Sequence, residues 1–134
     1  MRAEPIVIYL DSSVALGQLF AEDRALPATV GEGSLVSSRL LEYEVWNRVH
    51  ARGLTRSHGD QARALLDRVS LIALSEAVLA RALRPFPVSV RTLDGLHLAT
   101  MEFLRAAEEA FQLASYDRQL TAGAQALGIA IFPL

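Results

Sequence analysis

The chain alternates between short continuous apolar runs and longer segments whose apolar residues recur every three or four positions. Its clearest continuous run is Ile6–Leu10, which contains aliphatic residues and one tyrosine and is followed by Asp11, Ser12 and Ser13. An apolar run without polar alternation is typical of a strand covered on both faces of a parallel sheet. We therefore predict a central strand that ends in three polar side chains.

The same two patterns predict the other elements. Strands are predicted at 34–37, 70–74, 111–114 and 129–132, and helices at 13–21, 39–51, 55–69, 75–83, 91–107 and 121–127. A serine is expected to cap the first helix. Segment 22–33 contains a proline and two glycines without sustained periodicity, which predicts a loop. The alternation of strands and helices predicts an α/β fold with a mostly parallel sheet of four to five strands and helices on both faces.

Length and composition predict one domain over residues 1–134, because about half of the residues are apolar and no polar low-complexity tract divides them. No apolar run approaches the roughly 20 residues of a membrane span, and no signal-peptide pattern opens the chain, so a cytoplasmic protein is expected. Cysteine is absent, which excludes disulfides, thiolate nucleophiles and cysteine-based zinc sites. The formal net charge of −2 argues against a protein that coats nucleic acid nonspecifically.

All thirteen basic residues other than histidine are arginines. Codon bias is a sufficient explanation, but the absence of lysine excludes the P-loop phosphate site and Schiff-base chemistry. Arginine remains available for bidentate contacts with phosphate.

Four acidic residues are expected at one edge of the predicted sheet. Asp11 and Asp117 follow predicted strands, Asp94 lies in the first turn of a helix, and Glu44 lies beside the apolar stripe of another helix. Four carboxylates without a lysine to neutralise them would repel unless a cation joined them, and oxygen ligands suit magnesium or manganese. Two structural alternatives remain, namely that Asp11 only caps a helix and that Glu44 only pairs with Arg48.

Four sequence blocks together resemble PIN domains, and more narrowly the VapC-type ribonuclease toxins of bacterial toxin–antitoxin modules. The blocks are LDSS at 10–13, VSSRLLEYEV at 36–45, RTLDGLHLA at 91–99 and ASYDRQL at 114–120. They occur in the family's order and cover nearly the whole chain, although segment 22–33 is short where relatives often have a fuller helix. The resemblance implies a three-layer α/β/α PIN-like fold.

The resemblance also implies an endoribonuclease that uses Mg²⁺, or Mn²⁺, to hydrolyse RNA phosphodiester bonds. The residues that match the family's catalytic and metal-binding quartet are Asp11, Glu44, Asp94 and Asp117. Ser12 and Ser115 are expected to orient these carboxylates, and His97 is expected to be a structural side chain packed one turn from Asp94. The arginines nearest the acids in sequence are candidate RNA contacts, with a solvated surface role as the alternative: Arg39, Arg48, Arg91 and Arg118.

Partners are implied in the same way, since VapC-type toxins usually form homodimers and are inhibited by a cognate antitoxin. Helix 39–51 carries Tyr43, Trp46 and His50 on a second face, beside its core stripe. These residues predict a groove for the antitoxin. The predicted antitoxin groove is the surface formed by Tyr43, Trp46, Leu16, Leu19 and Phe20. A wide core contact between neighbouring helices is the alternative.

Two other function classes are considered. A phosphatase of the haloacid dehalogenase type also begins with an apolar strand and an aspartate, but it needs a second aspartate where Ser13 stands, and a lysine. A catalytically idle PIN module that only binds proteins would keep the same core. The complete set of four acids favours the enzyme.

Overall fold

The computed structural model describes residues 6–20 and 33–134. Its elements follow in the order β1 (Val7–Leu10), α1 (Ser12–Leu19), β2 (Ser34–Ser38), α2 (Leu40–Ala51), α3 (Thr55–Asp67), β3 (Val69–Ile72), α4 (Glu76–Ala82), α5 (Thr92–Ala106), β4 (Gln112–Ala114) and α6 (Arg118–Ala126). The predicted loop at 22–33 lies outside the described residues apart from Gly33.

The sheet has four strands in the order β3-β2-β1-β4, and all neighbouring pairs are parallel. β1 is a central strand, as its continuous apolar sequence predicts. Because the strands are parallel, Leu10, Ser38, Ile72 and Ala114 end at the same edge of the sheet. Ligands of open α/β sheets bind beyond this edge.

Helices cover both faces of the sheet. Ile8 and Leu10 lie in one apolar cluster with residues of α1, α2 and α3, whereas Tyr9 lies in a second cluster with Leu98 of α5 and Leu120 of α6. Successive residues of a strand point to opposite faces, which explains how one short strand supplies both clusters. The predicted three-layer α/β/α fold is confirmed.

The prediction for the end of the chain was partly wrong. No strand forms at 129–132 within the described residues; Ile131 makes a single parallel bridge to Leu113, supported by hydrogen bonds from Leu113 N to Ala130 O (2.9 Å) and from Phe132 N to Leu113 O (2.8 Å). The last helix begins at Arg118 rather than at Thr121, because Asp117 caps it.

Two smaller boundaries also differ from the prediction. β3 occupies Val69–Ile72 rather than 70–74, and α1 is capped by Asp11 rather than by a serine. In the part of the chain that the structure describes, no helix combines the length and the apolar character that crossing a membrane requires.

Candidate active site

Asp11 begins the site at the end of β1. Its Oδ2 accepts hydrogen bonds from Ser13 Oγ (2.6 Å), Ser13 N (3.3 Å) and Ser115 Oγ (2.8 Å). Asp11 therefore does cap α1, but capping is not its whole role, since the same oxygen also binds a serine from beyond β4. Oδ1 makes no hydrogen bond to any described residue, which leaves one carboxylate oxygen of Asp11 available to a ligand.

Asp94 and Asp117 are joined by one guanidinium. Arg91 donates from Nε to Asp94 Oδ2 (2.7 Å) and from Nη2 to Asp117 Oδ2. The other oxygen of Asp117 caps α6 by accepting from Gln119 N (2.9 Å) and Leu120 N (3.3 Å). Ser115 links this pair to Asp11, since its Oγ accepts from Asp117 N (2.9 Å) and donates to Asp11.

The pKa values of the two bridged acids shift in opposite directions. Burial raises the pKa of Asp94 above its ordinary value; the hydrogen bond and charge of Arg91 oppose this rise, the charges of Asp117 and Asp11 add to it, and the pKa stays raised. Burial also acts to raise the pKa of Asp117, but the hydrogen bonds from Arg91 and from the N–H groups of Leu120 and Gln119 outweigh it, so that pKa is lowered. Of these two acids, Asp94 is therefore the one whose ionised form the surroundings stabilise less.

Glu44 reaches the same region from α2. Its Oε1 lies 2.6 Å from His97 Nε2, and its Oε2 accepts a longer hydrogen bond (3.4 Å) from Ser12 Oγ. The alternative in which Glu44 pairs with Arg48 is wrong, because in the described structure the carboxylate of Glu44 contacts His97 and Ser12 instead. Each of the two carboxylate oxygens of Glu44 is therefore held by one hydrogen-bond contact.

A pocket of about 380 Å³ is lined by one leucine and five polar or charged residues from α2, the start of α5 and the cap of α6: Glu44, Arg91, Thr92, Leu93, Asp94 and Asp117. Asp11 adjoins it through Ser115 and Asp117. No three acidic or histidine side chains of the described residues stand close enough together to hold a metal ion as they are placed. The cation that joins Asp94 to Asp117 in this arrangement is Arg91.

Known proteins are similar to this chain over nearly its whole length. The family model of the PIN domain matches residues 8–126. The chain belongs to the PIN-domain family. Two curated relatives come from Mycobacterium tuberculosis. Ribonuclease VapC47 of strain CDC 1551 / Oshkosh is 30% identical over 128 residues, covering 91% of this chain and 93% of that protein. Ribonuclease VapC46 of strain ATCC 25618 / H37Rv is 35% identical over 128 residues, covering 92% and 95%. The predicted VapC-type membership is confirmed.

The four arginines predicted as RNA contacts of this PIN domain have different surroundings. Arg39 forms an exposed ion pair with Glu42 (2.9 Å), and Arg91 is bound to Asp94 and Asp117. Arg48 and Arg118 are exposed. A role in RNA binding stays a prediction for all four. Arg91 also neutralises two acids.

The groove residues of the PIN domain also differ among themselves. Tyr43 is 63% exposed, whereas Trp46 is half-buried and lies 3.9 Å from the position of a Cβ at Gly59 of α3. Leu19 is buried, Leu16 and Phe20 are half-buried, and the guanidinium of Arg52 lies over the Phe20 ring at 4.5 Å. Trp46 therefore takes part in the contact between α2 and α3, and Tyr43 is the most exposed of the five groove residues; the groove itself stays a prediction.

Sequence reasoning missed Ser13 and Tyr9. Ser13 Oγ bonds both Asp11 and the backbone N of Tyr116 (2.9 Å), and so joins the ends of β1 and β4. Tyr9 is fully buried and contacts His97. The sequence feature that could have identified Tyr9 is its position as the one phenol in an otherwise aliphatic strand, because a buried hydroxyl needs a hydrogen-bond partner.

Proposed function

We propose that this PIN domain is a metal-dependent endoribonuclease toxin that hydrolyses RNA phosphodiester bonds. One observation carries the proposal, namely that Asp11, Glu44, Asp94 and Asp117 come from four separate segments to one edge of the sheet, where a guanidinium already joins two of them. Two relatives named as ribonucleases, similar over more than nine tenths of this chain, support it.

The residues fit a divalent cation chemically. All four are carboxylates, which are the ligands that magnesium and manganese prefer. The acid pair Asp94 and Asp117 binds one cationic group already, and burial raises the pKa of Asp94, so a closer positive charge would stabilise its ionised form. Asp11, Asp94 and Asp117 would hold the ion, with Glu44 at the same pocket to act on the attacking water. When bound, it supplies electrostatic stabilisation of the scissile phosphate and lowers the pKa of an attacking water.

The chain's own residues orient the reaction. Glu44 receives the proton of the attacking water at Oε2, because Oε1 is engaged by His97 and the bond from Ser12 to Oε2 is long. The water oxygen bonds to phosphorus, the bond from phosphorus to the leaving sugar oxygen breaks, and that oxygen takes a proton from solvent. Arg91 can turn from the carboxylates to a phosphate, since its side chain is 52% exposed.

The direct test is RNA cleavage by the purified protein with magnesium or manganese and with EDTA. Asp11→Asn should retain the fold, because asparagine also caps helices, and should lower cleavage to below about one hundredth of the parent rate. The matched control is Asp60→Asn, which alters an exposed acid of α3 that pairs with Arg63 and should leave the rate unchanged. Cleavage by Asp11→Asn at the parent rate would refute the site, and no cleavage by the parent would favour the idle module.

We further propose a cognate antitoxin as the inhibitor and a second copy of the chain as a partner, on the strength of the VapC-type membership. Tyr43 supports a partner surface, since an aromatic side chain that is 63% exposed on a helix is an anchor in many interfaces. The helix α2 that carries it also carries Glu44, so a partner on this helix would lie beside the proposed catalytic pocket.

A further inference from the structure

Three side chains from three elements form a continuous hydrogen-bonded series that leads from the core to the pocket. Tyr9 Oη lies 2.7 Å from His97 Nδ1, and His97 Nε2 lies 2.6 Å from Glu44 Oε1. Tyr9 is fully buried and His97 is 1% exposed, whereas the side chain of Glu44 is 17% exposed. The series therefore has a fixed inner end and an outer end at the proposed site.

The groups around Tyr9 favour one direction for the series. Ser38 N donates to Tyr9 Oη (3.2 Å), and the buried phenol proton itself needs an acceptor. His97 Nδ1 is at the right distance to accept it. Burial raises the pKa of Tyr9 far above its ordinary value, so the phenol keeps that proton. With Nδ1 as the acceptor of the phenol proton, the ring hydrogen on Nε2 faces Glu44 Oε1 and is donated to it.

This direction matters because Glu44 otherwise has little to hold it. A glutamate on a helix can rotate about three side-chain bonds, and the remaining contact in the described structure is the 3.4 Å hydrogen bond from Ser12. The donor from His97 holds Oε1 at a defined place, and Tyr9 in turn prevents the imidazole from turning over. The edge-on contact of the Tyr9 and His97 rings, with centroids 5.8 Å apart, fixes the plane of the imidazole.

We infer that His97 is a positioning residue, which fixes the carboxylate of Glu44 for catalysis and is itself held in one tautomer by Tyr9. The inference rests on the proposed ribonuclease function. It goes beyond a packing role for His97, because a packed side chain needs neither of its ring nitrogens to face a site carboxylate. His97 does not need to touch the RNA.

A pair of substitutions separates positioning from packing. In His97→Gln the terminal amide nitrogen takes the place of Nε2, which keeps a donor for Glu44, whereas in His97→Asn it takes the place of Nδ1 and leaves Glu44 without one. If His97 positions Glu44, the glutamine variant keeps kcat within a few-fold of the parent and the asparagine variant loses about 10- to 100-fold. KM for RNA stays unchanged in both. Equal losses in the two variants would overturn the inference.

A double-mutant comparison supplies the control for Glu44. In a Glu44→Ala background, His97→Asn should cause no further loss of kcat, because the group on which it acts is gone. A further loss equal to that in the parent background would mean that His97 acts independently of Glu44 and would contradict the proposal.

A measurement that does not depend on RNA cleavage separates this inference from the proposed function. A ¹H–¹⁵N spectrum of the imidazole groups at neutral pH should show His97 protonated on Nε2 with an unprotonated Nδ1, and the Nε2 proton should move upfield in Glu44→Ala. Hydrogen on Nδ1 instead would overturn the inference, whether or not the protein cleaves RNA. The expected spectrum in a protein that cleaves no RNA would refute the proposed function and leave the hydrogen-bonded series intact.

Discussion

Asp94 and Asp117 share the guanidinium of Arg91, yet their pKa values shift in opposite directions. The difference lies in the remaining contacts, since Asp117 also accepts two backbone N–H groups at the start of α6, whereas Asp94 is buried and faces two other negative charges. Compared with the unfolded chain, the folded state therefore favours the protonated form of Asp94 and the ionised form of Asp117. The charge of Asp94 lowers the stability of the metal-free fold, whereas the proposed function needs that charge.

We predict opposite effects of two asparagine variants in metal-free protein. Above the raised pKa of Asp94 its charge costs stability, so Asp94→Asn should be more stable than the parent at pH 7, and this gain should vanish below the ordinary pKa of 3.8. Asp117 adds stability above 3.8 that is lost as the pH falls through its lower folded pKa, so Asp117→Asn should be less stable at pH 7 and approach the parent in acid.

Urea unfolding between pH 3 and pH 8 with EDTA present checks both signs. A loss of stability in Asp94→Asn at pH 7 would show that the ion pair with Arg91 outweighs burial and repulsion. Both variants should lose RNA cleavage, because each removes a proposed ligand of the cation.

The acids could be predicted from the sequence because each follows from local position. Asp11 and Asp117 come directly after apolar strands, and parallel strands end at one edge. The contacts of Arg91, Ser13 and Tyr9 could not be predicted in this way, because they depend on which atoms meet across β1, β4 and α5. A sequence pattern specifies a face of an element, but not the atom that a side chain contacts.

At the scale of elements, the helices were predicted more accurately than the strands. A helix such as α5 has fifteen residues and a long apolar stripe, whereas β4 has only three residues. The predicted strand at 129–132 had the right composition, but its backbone makes one bridge at the edge beside Leu113 and no more within the described residues. Tertiary pairing, and not local preference, decides whether such a short segment becomes a strand.

The two faces of α2 give the next prediction. Trp46→Ala should destabilise the fold by about 2–3 kcal/mol, somewhat less than for a fully buried tryptophan, because the half-buried indole packs against α3. Tyr43→Ala should change stability by less than about 0.5 kcal/mol, since the ring is 63% exposed. If the groove binds the antitoxin, Tyr43→Ala should nevertheless weaken that binding by about tenfold or more.

Calorimetric titration of antitoxin against each folded variant checks this. Leu83→Ala is the matched control, because Leu83 is also a large exposed side chain but lies at the end of α4. Unchanged affinity in Tyr43→Ala would place the antitoxin on another surface.

At the scale of the whole molecule, the arrangement around Arg91 would make binding of the proposed cation an exchange. The guanidinium neutralises Asp94 and Asp117, and an ion that bound the same two carboxylate oxygens would have to displace it. The fold would then form before any metal was bound, unlike small domains whose only counter-charge is the metal itself.

Arg91→Gln should lower the melting temperature of the metal-free protein, because the acids lose their counter-charge. The same variant should show a larger rise in melting temperature with magnesium or manganese, and saturation at a lower concentration, since nothing has to be displaced. Thermal melts across a metal titration check this, with Arg39→Gln, which alters an exposed ion pair, as the control. An identical metal response in Arg91→Gln and the parent would contradict the exchange.

The wide spacing of the four acids along the chain has a consequence for how the protein is made. β1 and Asp11 leave the ribosome early, but β1 pairs on one side with β4, and Asp117 follows β4. A nascent chain therefore contains no complete site until residue 117 has been synthesised and β4 has docked. For the proposed ribonuclease, the growing chain would carry an incomplete set of acids, and so no working site, up to this point of synthesis.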